Sequence, residues 1–324
     1  MKCRRCKAPA IIDLPRHNAA FCAGCFTHQC REQVKRAIHE HHMIEPGERV
    51  LVAVSGGKDS LALWDLLHEI AIPADGLYLG LGIGDYSDES GEYTRTFANE
   101  RGLHLHEVDL RSEYGYDIPG AAEVTHRAPC GACGLSKRHL FNQVALDQNY
   151  DVVATGHNLD DEAAVLFGNV LRWETGYLGR QFPILAASPG FARKVKPLVR
   201  LTEREMAAYC VIRGIDYQVE ECPMAAGNKH IAFKELLNQL EQKSPGTKAA
   251  FTSGFWSRGH QAFAPEADDE RATLAPCVEC GSPTTTGDRC AFCSLRARAS
   301  AAASAADSET RIPVEVPVTL RSEA

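Results

Sequence analysis

Three groups of residues in this chain have the types and spacing to do chemistry. The first is Ser55-Gly56-Gly57-Lys58-Asp59-Ser60, preceded by the apolar run Val50–Val54 and followed by Leu61, Leu63, Trp64, Leu66 and Leu67 at helical spacing. A buried strand, a tight turn and a helix are implied in that order. Such a turn gathers free backbone N–H groups at the positive end of a helix, which suits an anion. Gly56 and Gly57 allow oxygens to approach, Ser55 and Ser60 offer hydroxyls, and Lys58 offers a charge. The patterns G-x-x-x-x-G-K-[ST] and G-x-G-x-x-G are both absent, so the loop is of another phosphate-binding type. The plain alternative is a glycine turn with no ligand.

The second group is the cysteines, thirteen in all. Cys3, Cys6, Cys22 and Cys25 form two Cys-x2-Cys knuckles, and Cys277, Cys280, Cys290 and Cys293 form two more. Each set offers four thiolates to one tetrahedral zinc ion, with no position left open for chemistry. Cys30 has no paired partner, and Cys210 falls inside a helix as an ordinary buried cysteine. Cys130, Cys133 and Cys222 remain. They could bind a [4Fe–4S] cluster at three irons, leaving the fourth open for sulfur. They could instead carry a persulfide and its resolving thiol, or form an incomplete third zinc site.

The third group is Gly156-His157-Asn158-Leu159-Asp160-Asp161-Glu162, a second strand-to-helix loop. Asp160 and Asp161 can simply complement the positive helix end, or hold Mg²⁺ against ATP phosphates. Gly156 would let a nucleotide come close. Lys137 lies four residues beyond Cys133, on the same helix face, and could reach a phosphate or stay solvated.

The elements that must position these groups alternate. Strands are expected at Val50–Val54, Leu77–Leu81, His104–Val108 and Asp151–Thr155. Helices are expected from Ser60 to about Ile70, up to Glu100, around 130–146 and from Thr202 to Arg213. This is an α/β pattern, a doubly wound parallel sheet, whose ligands sit beyond the carboxyl ends of the strands. Backbone groups of Ala53 and Leu79 are then reasonable adenine contacts. A short strand should end at Cys222, and helices should follow near 231–242 and 246–256. The divisions read as a zinc ribbon at 1–28, a basic linker helix at 29–46, a catalytic domain at 47–222 and a helical segment with an acidic linker at 223–271. A second zinc ribbon at 272–295 and a disordered tail at 296–324 complete them.

The chain has 324 residues and a net charge of −7. It has no apolar stretch of membrane-spanning length and no signal-peptide pattern, so a soluble, cytoplasmic protein without a membrane partner is expected. Basic residues gather at Arg4, Arg5, Lys7 and Arg16, at Arg31, Lys35, Arg36, His39, His41 and His42, and at Arg193, Lys194, Lys196, Arg200 and Arg204. Such clusters form local phosphate-binding surfaces or solvated faces.

Taken together, the two ribbons, Ser55–Ser60, Pro129-Cys-Gly-Ala-Cys133, Gly156–Asp161 and Cys222-Pro223 resemble the TtuA/Ncs6-type tRNA 2-thiouridine synthetases. These are PP-loop ATP pyrophosphatases of the adenine nucleotide α-hydrolase-like fold. The resemblance covers residues 1 to about 295. It implies that Cys130, Cys133 and Cys222 hold a [4Fe–4S] cluster, and that two Zn²⁺ sit in the ribbons. It implies ATP contacts at Ala53, Ser55, Gly56, Gly57, Lys58, Asp59, Ser60, Leu79, Lys137, Gly156 and Asp161, with Mg²⁺. The expected catalytic residues are Asp59, Lys137, Cys130, Cys222 and Asp161. The implied reaction adenylates the uridine C2 oxygen, releases pyrophosphate and inserts sulfur delivered by a ubiquitin-like carrier protein. A homodimer is implied, and the modified position is either the wobble uridine or the T-loop. An ammonia-using PP-loop ligase would leave three cysteines without a task. A zinc-ribbon RNA-binding protein that only senses ATP would bind tRNA without turnover.

Overall fold

The computed structural model describes residues 1–225, 229–264 and 274–310. A hairpin of β1 (Ile12–Leu14) and β2 (Ala19–Phe21) leads into α1 (Ala23–His41). Then come β3 (Val50–Val54), α2 (Lys58–Glu69), β4 (Ala74–Gly80), α3 (Gly84–Arg101) and β5 (Leu105–Asp109). The chain continues through α4 (Leu110–Tyr114), α5 (Ile118–Thr125), α6 (Pro129–Asp147), β6 (Val152–Thr155), α7 (Leu159–Arg172) and α8 (Thr175–Leu178). Last come β7 (Ile184–Leu185), β8 (Arg193–Val195), α9 (Glu203–Arg213), α10 (Lys229–Lys243), α11 (Thr247–Gly254), β9 (Ala275–Pro276), β10 (Pro283–Thr284) and α12 (Ala291–Thr310).

The central sheet has the order β5-β4-β3-β6-β8-β7. Its strands are parallel except β7, which runs against β8. β3 is buried at every position, as a central parallel strand covered on both faces must be. Because side chains alternate, Val50, Val52 and Val54 join a core with α1, α2 and α9, while Leu51 joins the opposite one with α5 and α6. The strand order reverses between β3 and β6, the switch point at which a crevice opens beyond the strand ends.

Several boundaries depart from the sequence expectation. β4 starts at Ala74 rather than Leu77, because Trp64 lies on it. A Cβ on Gly76 would collide with the Trp64 ring, and the indole N–H donates to the Ala74 carbonyl at 2.9 Å. The glycine marks a close approach, not a turn. No strand precedes Cys222. That segment is tied to the phosphate loop by one hydrogen bond, Gln218 N–H to the Gly56 carbonyl at 2.9 Å, and Pro223–Ala225 forms a 3₁₀ turn. α1 begins inside the first ribbon and runs past residue 28. α12 continues from the second ribbon to Thr310, so the start of the segment expected to be disordered is helical. Arg298 of α12 donates to the Val124 carbonyl at the end of α5 at 2.6 Å. Runs of alanine kept its helical tendency but hid its apolar face. Residues 311–324, and the acidic linker at 265–271, lie outside the described residues.

Behind the sheet, Asp65 is fully buried and holds α2 to α3 and α9. Its carboxylate accepts from Arg101 Nε at 2.9 Å, Arg213 Nε at 2.9 Å and Tyr209 Oη at 2.7 Å. Burial alone would raise its pKa, but the bonds from Arg213, Tyr209 and Arg101 hold it below the ordinary 3.8. The stabilisation is therefore complete above the ordinary carboxylate range and is lost as pH falls through and below it. Asp65→Ala takes the buried acceptor from the Tyr209 hydroxyl and leaves Arg213 and Arg101 only Glu69 and Glu100. We expect a loss of about 3 kcal/mol in urea unfolding at neutral pH, shrinking in acid. An equal loss at every pH would remove the charge from this account. Among the described residues no helix is long and apolar enough to cross a membrane.

Candidate functional site

The loop after β3 and the loop after β6 meet at the switch point. Gly156 is pressed against the start of α2: a Cβ there would stand 2.9 Å from the Asp59 carbonyl carbon and the Ser60 nitrogen. Glycine at 156 is required by this loop-to-helix contact, before any nucleotide is considered. Gly56 has φ +74°, and its Cβ would collide with the Ser90 carbonyl oxygen of α3. The hydroxyls serve the loop itself. Ser60 Oγ donates to the Gly57 carbonyl at 2.9 Å and accepts from the Ser55 N–H at 3.1 Å. No side chain caps α2, whereas Asn158 and Thr202 close capping boxes on α7 and α9. The first-turn N–H groups of α2 are thus left for an anion.

Charged side chains ring this point. Lys58 Nζ lies 2.8 Å from Glu203 and 3.2 Å from Asp59. Lys234 of α10 lies 2.6 Å from Asp161 and 3.2 Å from Glu203. Asn158 Nδ2 donates to Asp59 at 3.0 Å, and the Asn158 N–H donates to Asp161 at 3.0 Å. Burial lifts the Asp59 pKa to about 6, with Lys58 pulling it back and Asp161 pushing it up. Three carboxylates thus converge on two ammonium groups, which leaves one negative charge in excess when all three are ionised. Hard oxygen donors of this kind beside a phosphate site fit Mg²⁺, which takes one or two carboxylates and completes its shell with substrate oxygens.

Asp160, the neighbour in sequence, points away. It is buried, pairs with Lys248 and accepts the Glu203 N–H at 2.9 Å, so it anchors α9 and α11. Ala53 and Leu79 are buried in their strands, leaving only backbone groups to offer. Leu79 sits one residue past the last β3–β4 pair, Val54 with Tyr78. Lys137 makes no hydrogen bond or ion pair with any described residue, and its charge acts on Cys133.

The three spare thiols form one neighbourhood. Cys130 and Cys133 occupy the first turns of α6, Cys130 Sγ lies 3.7 Å from the Met224 carbonyl, and the charges of Cys130 and Cys222 act on Cys133. A helix N-terminus favours thiolate, yet the Cys133 thiol is pushed up by burial, with Lys137 opposing. Among the described residues, two four-cysteine groups have their sulfurs all within 4.8 Å of one another, and this trio does not. That contrast fits its proposed ligand. Four thiolates on one zinc ion crowd together, whereas cluster thiolates bind separate irons. In the second ribbon Cys290 and Cys293 N–H groups donate to Cys277 and Cys290 sulfurs at 3.2 and 3.4 Å, which supports thiolate ligands there. Its Phe292 stacks on His139 of α6 with ring centroids 3.9 Å apart, bracing the helix that carries Cys130, Cys133 and Lys137. Cys30 and Cys210 are fully buried apart from both sets.

Much of the basic clusters is paired with acidic side chains, while Arg4 and Lys7 donate only to backbone carbonyls. Arg16 pairs with Glu205, Arg31 with Glu69, Arg36 and Arg200 with Glu40, and Lys196 with Glu162. Sequence spacing found Lys58, Asp59 and Asp161, but missed Asn158, Glu203 and Lys234. Asn158 was visible as an N-cap preceding acidic residues. Glu203 and Lys234 belong to remote helices with no motif, and only the fold brings them here.

The model of the 2-thiouridine synthetase TtuA N-terminal LIM domain matches residues 2–27, and the PP-loop domain model matches residues 26–226. The chain is 48% identical over 91% of its length to a tRNA-5-methyluridine(54) 2-sulfurtransferase of Thermus thermophilus, covering 91% of that protein. It is 41% identical over 90% of its length to the protein of the same name from Pyrococcus horikoshii, covering 93% of it. The U34-tRNA thiolase NcsA from Methanococcus maripaludis, solved with its [4Fe–4S] cluster, superposes with a TM-score of 0.72 at 26% identity, over 81% of this chain and 88% of that one. The chain belongs to the PP-loop tRNA 2-sulfurtransferases.

Proposed function

We propose that this chain is the 2-thiolating enzyme for the T-loop 5-methyluridine of tRNA, using ATP to activate the base. The observation that carries the reading is the meeting of an uncapped phosphate-type loop with a carboxylate ring at the sheet switch point, in a chain 48% identical to a position-54 enzyme. The uridine C2 oxygen is a poor leaving group. Attack of that oxygen on the ATP α-phosphate forms the O2–P bond, breaks the bond to the β-phosphate and releases pyrophosphate. Sulfur then attacks C2, and AMP leaves with the oxygen. In this reading the α2 N–H groups and Lys58 hold the departing pyrophosphate, and Lys137 adds charge as it separates. Asp59 and Asp161 would hold Mg²⁺, which supplies positive charge against the phosphates. Cys130, Cys133 and Cys222 would hold a [4Fe–4S] cluster, which supplies one iron with an open position for sulfur. The ribbons would each hold Zn²⁺, and the sulfur would come as the thiocarboxylate of a ubiquitin-like carrier.

Lys234 is assigned a positioning role. It stands where Mg²⁺ charge is needed, and on nucleotide binding it would give up Asp161 and turn to phosphate. Lys234→Met should raise KM for ATP about tenfold with tRNA affinity unchanged, and Lys234→Arg should recover part of it. Unchanged KM in the methionine variant removes this role.

The reading is tested by incubating tRNA with the protein and sulfide under anaerobic ATP conditions, then mapping nucleosides by mass spectrometry. A 2-thio group at position 54 is expected. Sulfur at the wobble uridine would reassign the substrate site, in line with the NcsA neighbour.

A further inference from the structure

Trp173 caps the C-terminus of α7 at φ 51° and ψ 45°, in the left-handed region. Glycine and asparagine suit that position, and a bulky side chain is held there at a conformational cost. Packing gives nothing back, because Trp173 is 70% exposed. Leu171 and Tyr177 beside it in the chain are 57% and 59% exposed. The left-handed backbone closes α7, its N–H donating to the Asn169 and Val170 carbonyls, but folding stability does not explain an exposed tryptophan there. Strain kept at an exposed aromatic points to function.

The surroundings select the partner. Arg180 lies over the Tyr177 ring with its guanidinium 4.9 Å from the centroid. Arg172 flanks Trp173, and its guanidinium lies 3.6 Å from Glu174, the one acidic residue of the segment. The segment is anchored below, where His260 Nε2–H donates to the Gly179 carbonyl at 2.9 Å and Phe182 packs on His41 and His260. Exposed aromatic faces with guanidiniums on a fixed base complement unpaired nucleotides, whose rings stack and whose phosphates need cations.

We propose that Trp173 and Tyr177 form a stacking platform for an unpaired base of the RNA substrate, with Arg172 and Arg180 meeting the adjoining phosphates. The proposal rests on the tRNA reading and adds a place for it. Asp161 at the start of α7 and Trp173 at its end are twelve residues apart, about 18 Å along the helix. The stacked base is therefore a neighbour of the target in the folded RNA, not the target itself.

Of the three tryptophans, Trp64 is fully buried and Trp256 half-buried, so Trp173 reports directly. Titrating an unmodified tRNA transcript into the full-length protein should quench its emission. Trp173→Ala should weaken tRNA binding about tenfold, Trp173→Phe should keep most of it, and KM for ATP should stay unchanged. Trp173→Gly guards against misfolding: glycine adopts positive φ freely, so its melting temperature should hold or rise while tRNA affinity falls. Absence of quenching with unchanged tRNA affinity in all three variants overturns the platform. So does a shift from dimer to monomer in Trp173→Ala with tRNA affinity intact, which would make the patch a contact between two copies. Failure of the wild-type protein to thiolate tRNA would instead strike the functional reading.

Discussion

Cys222→Ala should cut 2-thiouridine formation below about 1% of wild type while leaving two zinc ions per chain. The magnitude follows from the ligand count. Loss of an outer-shell partner already costs 10–100-fold, and a direct ligand of a three-thiol site costs more. The substitution is local, because Cys222 lies in a loop next to a 3₁₀ turn and is only partly buried. Both four-cysteine groups are complete without it. Iron and acid-labile sulfide should fall with activity in anaerobically purified protein, and ATP binding should persist. Full iron content with unimpaired thiolation in the variant would remove Cys222 from the ligand set. Loss of zinc along with activity would show that the trio is structural.

Asp161→Asn should slow pyrophosphate release about a hundredfold with little change in stability. Asparagine keeps the shape, and its oxygen can still accept the Asn158 N–H that closes the α7 capping box. What it removes is the charge that faces Lys234 and, in the proposed complex, Mg²⁺. A large drop in melting temperature would mean that the residue serves the helix, as the bare sequence also allowed. Pyrophosphate release at the wild-type rate would exclude Asp161 from the activating half of the site.

What could be read from the sequence was whatever lay contiguous in the chain. The strand Val50–Val54 and its loop were legible because a central parallel strand is apolar throughout and the turn residues are unmistakable. The two ribbons were legible because four thiolates at knuckle spacing have one common use. Long-range closure was not legible. Nothing in Glu203 or Lys234 marks them as site residues until α9 and α10 fold against the loops. Gly56 and Gly156 looked like room for a ligand, and the structure gives them a prior task of passing Ser90 and the start of α2. Whether the basic clusters were phosphate-binding surfaces or solvated faces was not legible, because acidic partners far along the chain, such as Glu205 for Arg16, are invisible to local charge counting. The α12 helix was missed because alanine and serine carry too little contrast to show a buried face.

The central claim is that this chain couples cleavage of ATP between its α and β phosphates to sulfur insertion in tRNA. Its most direct test is a single-turnover reaction of anaerobic protein with tRNA, ATP and sulfide, quantifying nucleotides and thiolated nucleoside together. AMP, pyrophosphate and 2-thio-5-methyluridine should appear in equal amounts, and none should form without tRNA. Release of ADP and phosphate, or thiolated tRNA formed without AMP, would contradict the account.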